Sequence, residues 1–419
     1  MGKLYAGDNP LISDVPAPPR ATEGGQAAAH LRLGLRLAAG RSTGAAWALG
    51  WLALGVGVVL ITGQIFQGIN PQDEGEMITY PWLIAQGHMP YVDFWTMYPP
   101  STFVILAALF KAGIPGLAAE RGLGLVARLI CVLMINRAVT GSWRRFSWVA
   151  VLVSFNLVFL SANISLAAYA WLAGLPVLLA GLICVRAGRI GLAALAFGLA
   201  GTFRVEFAVA GMVALASLAL LEWRGGDRTS GRWWPVLGLL AGTIAFYAAL
   251  DLVTSGQAVR EILVDPILRI EPYRRVALFP PRFGPLGVPA ALSLAVGPIC
   301  LVVLGLRSGR LRLAATNLAI CALLPQVLQD ADWSHLFGVA AIGIPWALLS
   351  FADLGRETAR GAESALGPAG SDVAAKLSSF AIVWIWVTVG LFYAVFIGAY
   401  GLVVSPLSPA SPQFALHGP

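Results

Sequence analysis

The chain has 419 residues, of which 58% are hydrophobic and only 12% charged, with a net charge of +7 and a mean hydropathy of +0.77. A soluble globular domain does not combine so much apolar residue with so little charge, so the composition indicates a polytopic membrane protein. The positive charge does not point to nucleic acid, because the arginines sit in short clusters between apolar runs, the pattern of cytoplasmic membrane loops.

Residues 1–44 are polar and rich in Ala, Gly and Pro. With Arg20, Arg32, Arg36 and Arg41 they are expected to form a flexible cytoplasmic tail without a signal-peptide pattern. Residues 45–400 are expected to form the transmembrane domain, in which Ala45–Phe66 is the first outward span. A first external loop over 67–120 follows. Its centre, Asn70–Pro100, carries four carboxylates, Asp73, Glu74, Glu76 and Asp93, among Tyr80, Trp82, Tyr91, Phe94, Trp95 and Tyr98. Asn70-Pro71 reads as a helix N-cap with proline at the first position, Pro81 as a kink or interruption, and Gly87 as a stop. One reading is an amphipathic surface helix whose acids suit its positive end. The other is an acidic active-site loop over a membrane cavity. Ser101–Ile114 would cover roughly 20 Å as a helix, too little for a bilayer core of about 30 Å, and is expected to lie in the outer interface, with a short transmembrane helix as the alternative.

Further spans are expected over Gly122–Ala138, Phe146–Ala162, Leu166–Val185, Ile190–Phe203, Phe207–Leu221 and Trp234–Val253. After a second long external loop, 254–285, come Leu286–Leu306, Leu313–Gln329, Leu336–Leu354 and Leu377–Tyr400, with an external tail at 401–419. The expected fold is therefore all-α, with about eleven transmembrane helices plus interfacial helices in the first external loop. Most of the 28 Lys and Arg fall on the side that this reading places in the cytoplasm, which sets the N-terminus inside and the C-terminus outside. No fixed-period repeat appears.

Some polar groups lie near membrane depth, where a charge costs about 2.5–3.5 kcal/mol at a helix centre. Arg128 interrupts an apolar helix and reads either as a structural ion pair or as an anion site. Arg204 and Glu206 sit at the tip of a helical hairpin, either paired with each other or facing a ligand. The second external loop gathers Arg260, Arg269, Arg274, Arg275 and Arg282, against the positive-inside trend, and guanidinium forks suit phosphate. Asp330, Asp332 and His335 form a third polar turn. With His88 and the acids they leave a divalent cation open, without a spacing that specifies one. The four cysteines, Cys131, Cys184, Cys300 and Cys321, lie in apolar segments, and neither disulfides nor a cysteine-bound metal is expected.

Taken together, Asp73-Glu74-Gly75 after the first span, Gly87-His-Met-Pro-Tyr91-Val-Asp93 and Tyr98-Pro-Pro100 resemble the C-type (GT-C) membrane glycosyltransferase superfamily. The similarity is to its protein O-mannosyltransferase and aminoarabinose transferase group. Arg128, with Arg121 as a rival, resembles the arginine on the outer part of the next helix, and Tyr273-Arg-Arg275…Pro280-Pro281 and Asp332…His335 are also similar. The resemblance implies a GT-C-like fold in the plasma (inner) membrane and a sugar donor on a polyprenyl phosphate. Transfer would reach an acceptor hydroxyl on the extracytoplasmic face. It implies Asp73 as general base and Arg128, Arg204, Arg274 and Arg275 as donor-phosphate ligands. Glu74, Tyr91, Asp93, Trp95, Asp332 and His335 would contact the acceptor or the sugar, with metal contact a further role for Glu74. Compared with larger members the chain is expected to lack a soluble C-terminal domain, which leaves the acceptor, whether lipid, glycan or protein, open. A transporter or lipid flippase that uses the intramembrane charges as a path is the competing reading.

Overall fold

The computed structural model describes residues 73–140, 142, 170–226, 230–266, 268, 287–325, 339–340, 342–351 and 353–354. It also describes isolated positions near the two ends of the expected domain (48, 51–52, 54–55, 58, 384 and 387–388). Among the described residues the regular structure is helical, and β pairing is confined to one isolated bridge between Pro90 and Phe94. The helices are α1 (Asp73–Ala85), α2 (Ser101–Lys111), α3 (Gly116–Thr140), α4 (Ala170–Arg186), α5 (Ile190–Gly201), α6 (Val205–Arg224), α7 (Trp234–Val253), α8 (Gly287–Arg307) and α9 (Leu311–Cys321). A further apolar helix, α10, covers Ile342–Phe351. Of these, α3, α6 and α7 are long and apolar enough to cross a membrane. The protein is an integral membrane protein built of helices.

Helix α7 begins and ends at the residues the hydropathy pattern predicts, because an apolar run whose one charged residue is Asp251 sets both ends. Its surface exposes Ile244, Leu252 and Val253, as suits a helix whose solvent is lipid. Helix α2, with 11 residues, is about 16 Å long and falls short of a span. Helix α1 runs through Pro81 without interruption. The expected N-cap at Asn70 and Pro71 lies outside the described residues, whereas Gly87, at φ +97°, does follow the helix end as a stop. The helix survives its proline because contacts hold it on both sides. Met77 is buried, Tyr80 packs edge-on against Phe103 of α2, and Glu74 binds α3.

The core lies among α3, α4, α5, α6, α9 and α10. Lipid is as apolar as leucine, so helices in a bilayer associate through close fit rather than through the hydrophobic effect. Phe197 of α5 shows this fit. It is fully buried between Gly181 of α4 and Gly211 of α6, where an added Cβ would lie 2.5 Å and 2.3 Å from its ring atoms. At Gly305 the backbone of α8 meets Ala314 of α9 in the same way.

Alternation of the helices sorts the turns onto two ends. At one end are the α4–α5 turn, the C-terminus of α6, the N-terminus of α7 and the α8–α9 turn, with Arg186, Arg189, Arg224, Arg232, Arg307, Arg310 and Arg312. At the other end are the loop after α1, the α5–α6 turn and the segment after α7.

Candidate functional site

The second end carries a cluster drawn from three separate parts of the chain. After α1 the backbone turns at Gly87 and crosses to Pro100, placing Tyr91 at a positive φ of 69°. An L side chain rarely adopts that conformation, and tertiary contacts hold it here. The Tyr91 ring packs with Tyr247 of α7 and with Ala258 and Ile262, and its hydroxyl donates to the Tyr98 carbonyl at 2.7 Å. Burial, followed by the charges of Tyr247 and Glu261, pushes the Tyr91 phenol well above its usual range, so it stays a proton donor. The Tyr247 hydroxyl in turn donates to the Gly201 carbonyl at 2.8 Å, which ties α7 to the end of α5.

Arg204 precedes α6, with its Cζ 5.5 Å from the centre of the Tyr98 ring. Its Nε and Nη2 donate to the two carboxylate oxygens of Glu206 at 3.2 and 2.8 Å. The pairing alternative read from sequence is therefore present, and it engages two of the five guanidinium N–H donors. Beside them Ser101 donates to the Thr202 hydroxyl at 2.7 Å, so the start of α2 is joined to the α5–α6 turn.

Glu261 completes the cluster and was not singled out from the sequence. It lies in a π-helical turn, Arg260–Val264, shortly after α7, and is 8% exposed. Its Oε2 accepts the backbone N–H of Thr96 at 3.0 Å. Desolvation is the main cause that raises its pKa, with Asp265 acting in the same direction and the Thr96 N–H and Arg260 opposing. Tyr80 is raised by burial and then by Glu76, Tyr98 and Glu261, which places two carboxylates and two phenols in one electrostatic neighbourhood. A π turn is a known marker of functional irregularity in helices, but only the fold reveals one here.

The other expected residues are placed as follows. Asp73 is the first described residue of α1, and its backbone alone is described. Glu74 is 1% exposed and takes Arg121 Nε and Nη2 on its two oxygens at 2.8 and 2.9 Å. That fork gives Glu74 a partner other than the acceptor or metal expected from sequence, and it fastens α1 to α3. Arg128 is buried in α3, two helical turns or about 10.5 Å beyond Arg121, in a helix that also buries Glu120 and Asn136. Asp93 is exposed and caps its own turn, accepting the Met89 N–H at 2.6 Å with His88 Nδ1 3.7 Å away. Trp95 is exposed beside it. Arg274, Arg275, Asp332 and His335 lie outside the described residues. Among the described residues no three His, Cys, Asp or Glu side chains gather as metal ligands, and the four cysteines are free thiols.

No family model matches the chain. No curated protein matches it. A search of solved structures found a similarity to ArnT from Cupriavidus metallidurans bound to undecaprenyl phosphate. That likeness covers 84% of this chain and 77% of that chain, at 15% sequence identity and a TM-score of 0.47.

Proposed function

We propose that the protein is an integral membrane glycosyltransferase that moves a sugar from a polyprenyl-phosphate donor to an acceptor hydroxyl on the extracytoplasmic face. The observation that carries this reading is the cluster itself. The loop bearing the acids, the Arg204 turn and Glu261 converge at the end of the helices away from the arginine-rich turns. A lipid-borne sugar phosphate reaches such a site through the bilayer, so the reaction needs no soluble nucleotide-binding domain.

In the reaction the acceptor oxygen attacks the anomeric carbon, the bond from that carbon to the phosphate oxygen breaks, and polyprenyl phosphate leaves with the bonding pair. Asp73 takes the acceptor proton as general base. Arg204 stabilises the charge growing on the phosphate, joined by Arg128, Arg274 and Arg275. Asp93 and Trp95 contact the sugar from the loop that buried Tyr91 anchors, with Asp332 and His335 on the acceptor side. Glu74, held by Arg121, positions the start of α1 and hence Asp73. A divalent cation is a candidate partner of this site.

The buried charges of α3, Glu120, Arg121 and Arg128, favour a second reading, a transporter or flippase with a charged path. One experiment separates the two. Purified protein in nanodiscs is given a polyprenyl-phosphate sugar and a hydroxyl acceptor, and transfer is followed by mass spectrometry. Asp73→Asn removes the base while keeping size, and transfer should fall about 10²–10⁴-fold with donor binding intact. Transfer by the variant at the wild-type rate would place the base elsewhere. Lipid movement across vesicles without any sugar transfer would favour the flippase.

A further inference from the structure

The arginine-rich end holds a cavity of about 530 Å³ that the proposed reaction does not use. It opens where the C-termini of α4 and α6, the α8–α9 turn and the end of α10 meet, and Arg186, Arg310, Arg312 and Ser350 line it. Its two carboxylates are already engaged, Asp353 by Arg186 and Glu222 by Arg232. What remains on the wall is a set of donors.

Ser350 is 1% exposed, and its hydroxyl accepts from Asn317 Nδ2 at 3.2 Å. Its own O–H is left to donate, and it meets no acceptor among the described residues. Arg312 makes no ion pair among the described residues. Its guanidinium lies over Gly188, where an added Cβ would be 2.9 Å from Nη1 and Nη2. Gly188 itself sits at φ +74°. The N-terminal turn of α9, which bears Arg310 and Arg312, also lines the cavity, and no side chain caps it. The Leu311 N–H is taken by the Gly309 carbonyl at 3.1 Å, but the N–H groups of Arg312 and Leu313 have no intrahelical acceptor, and the helix dipole presents positive charge to the same space. Arg310, the residue that precedes α9, donates Nη1 to the Leu354 carbonyl at 3.4 Å and adds positive charge to an end that already favours an anion. Leu311, Leu313 and Leu354 give the cavity an apolar side.

We propose that this cavity is a second ligand site, which binds a phosphoryl group carried by the headgroup of an anionic membrane lipid. The guanidinium of Arg312 and the Ser350 hydroxyl hold the phosphate oxygens, Arg310 and the α9 amides complete the shell, and the leucines meet the start of the acyl chains.

The test uses the full chain in nanodiscs of phosphatidylglycerol or of phosphatidylcholine, read by native mass spectrometry and by thermal unfolding. Phosphatidylglycerol should be retained by the wild type and lost about tenfold more readily by Arg312→Gln or Ser350→Ala. Arg312→Lys should recover part of the binding. If inorganic phosphate stabilises the wild type in phosphatidylcholine, and Arg312→Gln abolishes that gain, the phosphoryl site stands and a free anion is its source. Equal retention and equal phosphate response in the wild type and both variants would overturn the site. Arg312 is exposed and Ser350→Ala is a small deletion, so either variant should fold and give a readable result.

Discussion

Thr96 and Glu261 are 165 positions apart, yet the Thr96 N–H lies 3.0 Å from the Glu261 carboxylate. This bond closes the loop after α1 onto the segment after α7. It ties the acid-rich first loop to the start of the second expected loop, and so makes Glu261 a pH-sensitive part of the site. The pKa of Glu261 is raised above its ordinary 4.5, so the docked state holds the proton more tightly than the free state. The contribution of Glu261 to docking is therefore complete below about pH 4.5 and declines as pH rises through the raised value. Hydrogen exchange of residues 86–98 should speed up over that range. Glu261→Gln, which keeps an acceptor and cannot ionise, should flatten the dependence. An unchanged pH profile in that variant would assign the effect to another group.

The Arg121–Glu74 fork is buried on both sides, so breaking it leaves one charge without its partner. Arg121→Met or Glu74→Leu alone should cost about 3–5 kcal/mol. The double variant replaces the pair with apolar groups and should recover most of that loss. Thermal unfolding of the four proteins in one detergent forms the cycle. Additive losses would mean that the pair is not coupled.

Phe197 fills the space that Gly181 and Gly211 leave open. Gly211→Val should force the ring out of its seat and destabilise the α4–α5–α6 contact by about 1–3 kcal/mol. Adding Phe197→Leu should return part of the stability, because the smaller side chain can yield. Unfolding temperatures measure both effects, and a stable Gly211→Val protein would contradict the packing.

Arg204 holds Glu206 with two donors and stands over Tyr98. Arg204→Lys keeps the charge but loses both the fork and the planar stacking. Affinity for a polyprenyl phosphate should fall about tenfold. Lys111→Gln, an exposed change at the end of α2, should leave it unaltered. Equal affinities for wild type and Arg204→Lys would remove Arg204 from the phosphate site.

Helix α6 carries Arg204 at its start and Arg224 at its end, 20 helical residues or about 30 Å apart. With the four native cysteines replaced, a cysteine at exposed Gln86 should react with an impermeant thiol reagent added outside cells. One at exposed Arg224 should react only after the membrane is opened. The reverse pattern would invert the proposed orientation.

The spans were legible where a single apolar run defines them, as at Trp234–Val253, because the cost of placing a residue in lipid is a local property of each side chain. The hairpin tip at Arg204 and Glu206 was legible for the same reason, since two charges between two apolar runs must lie at an end. Which of kink and interruption Pro81 would impose was not, because the continuity of the helix depends on Met77, Tyr80 and Glu74 finding partners in the fold. Glu261 gave no local signal either, and its importance arises when packing brings it to Thr96. Hydropathy and charge are summed along the chain and survive in its order. The environment of a carboxylate is set by groups remote in sequence, and only folding brings them within hydrogen-bonding reach.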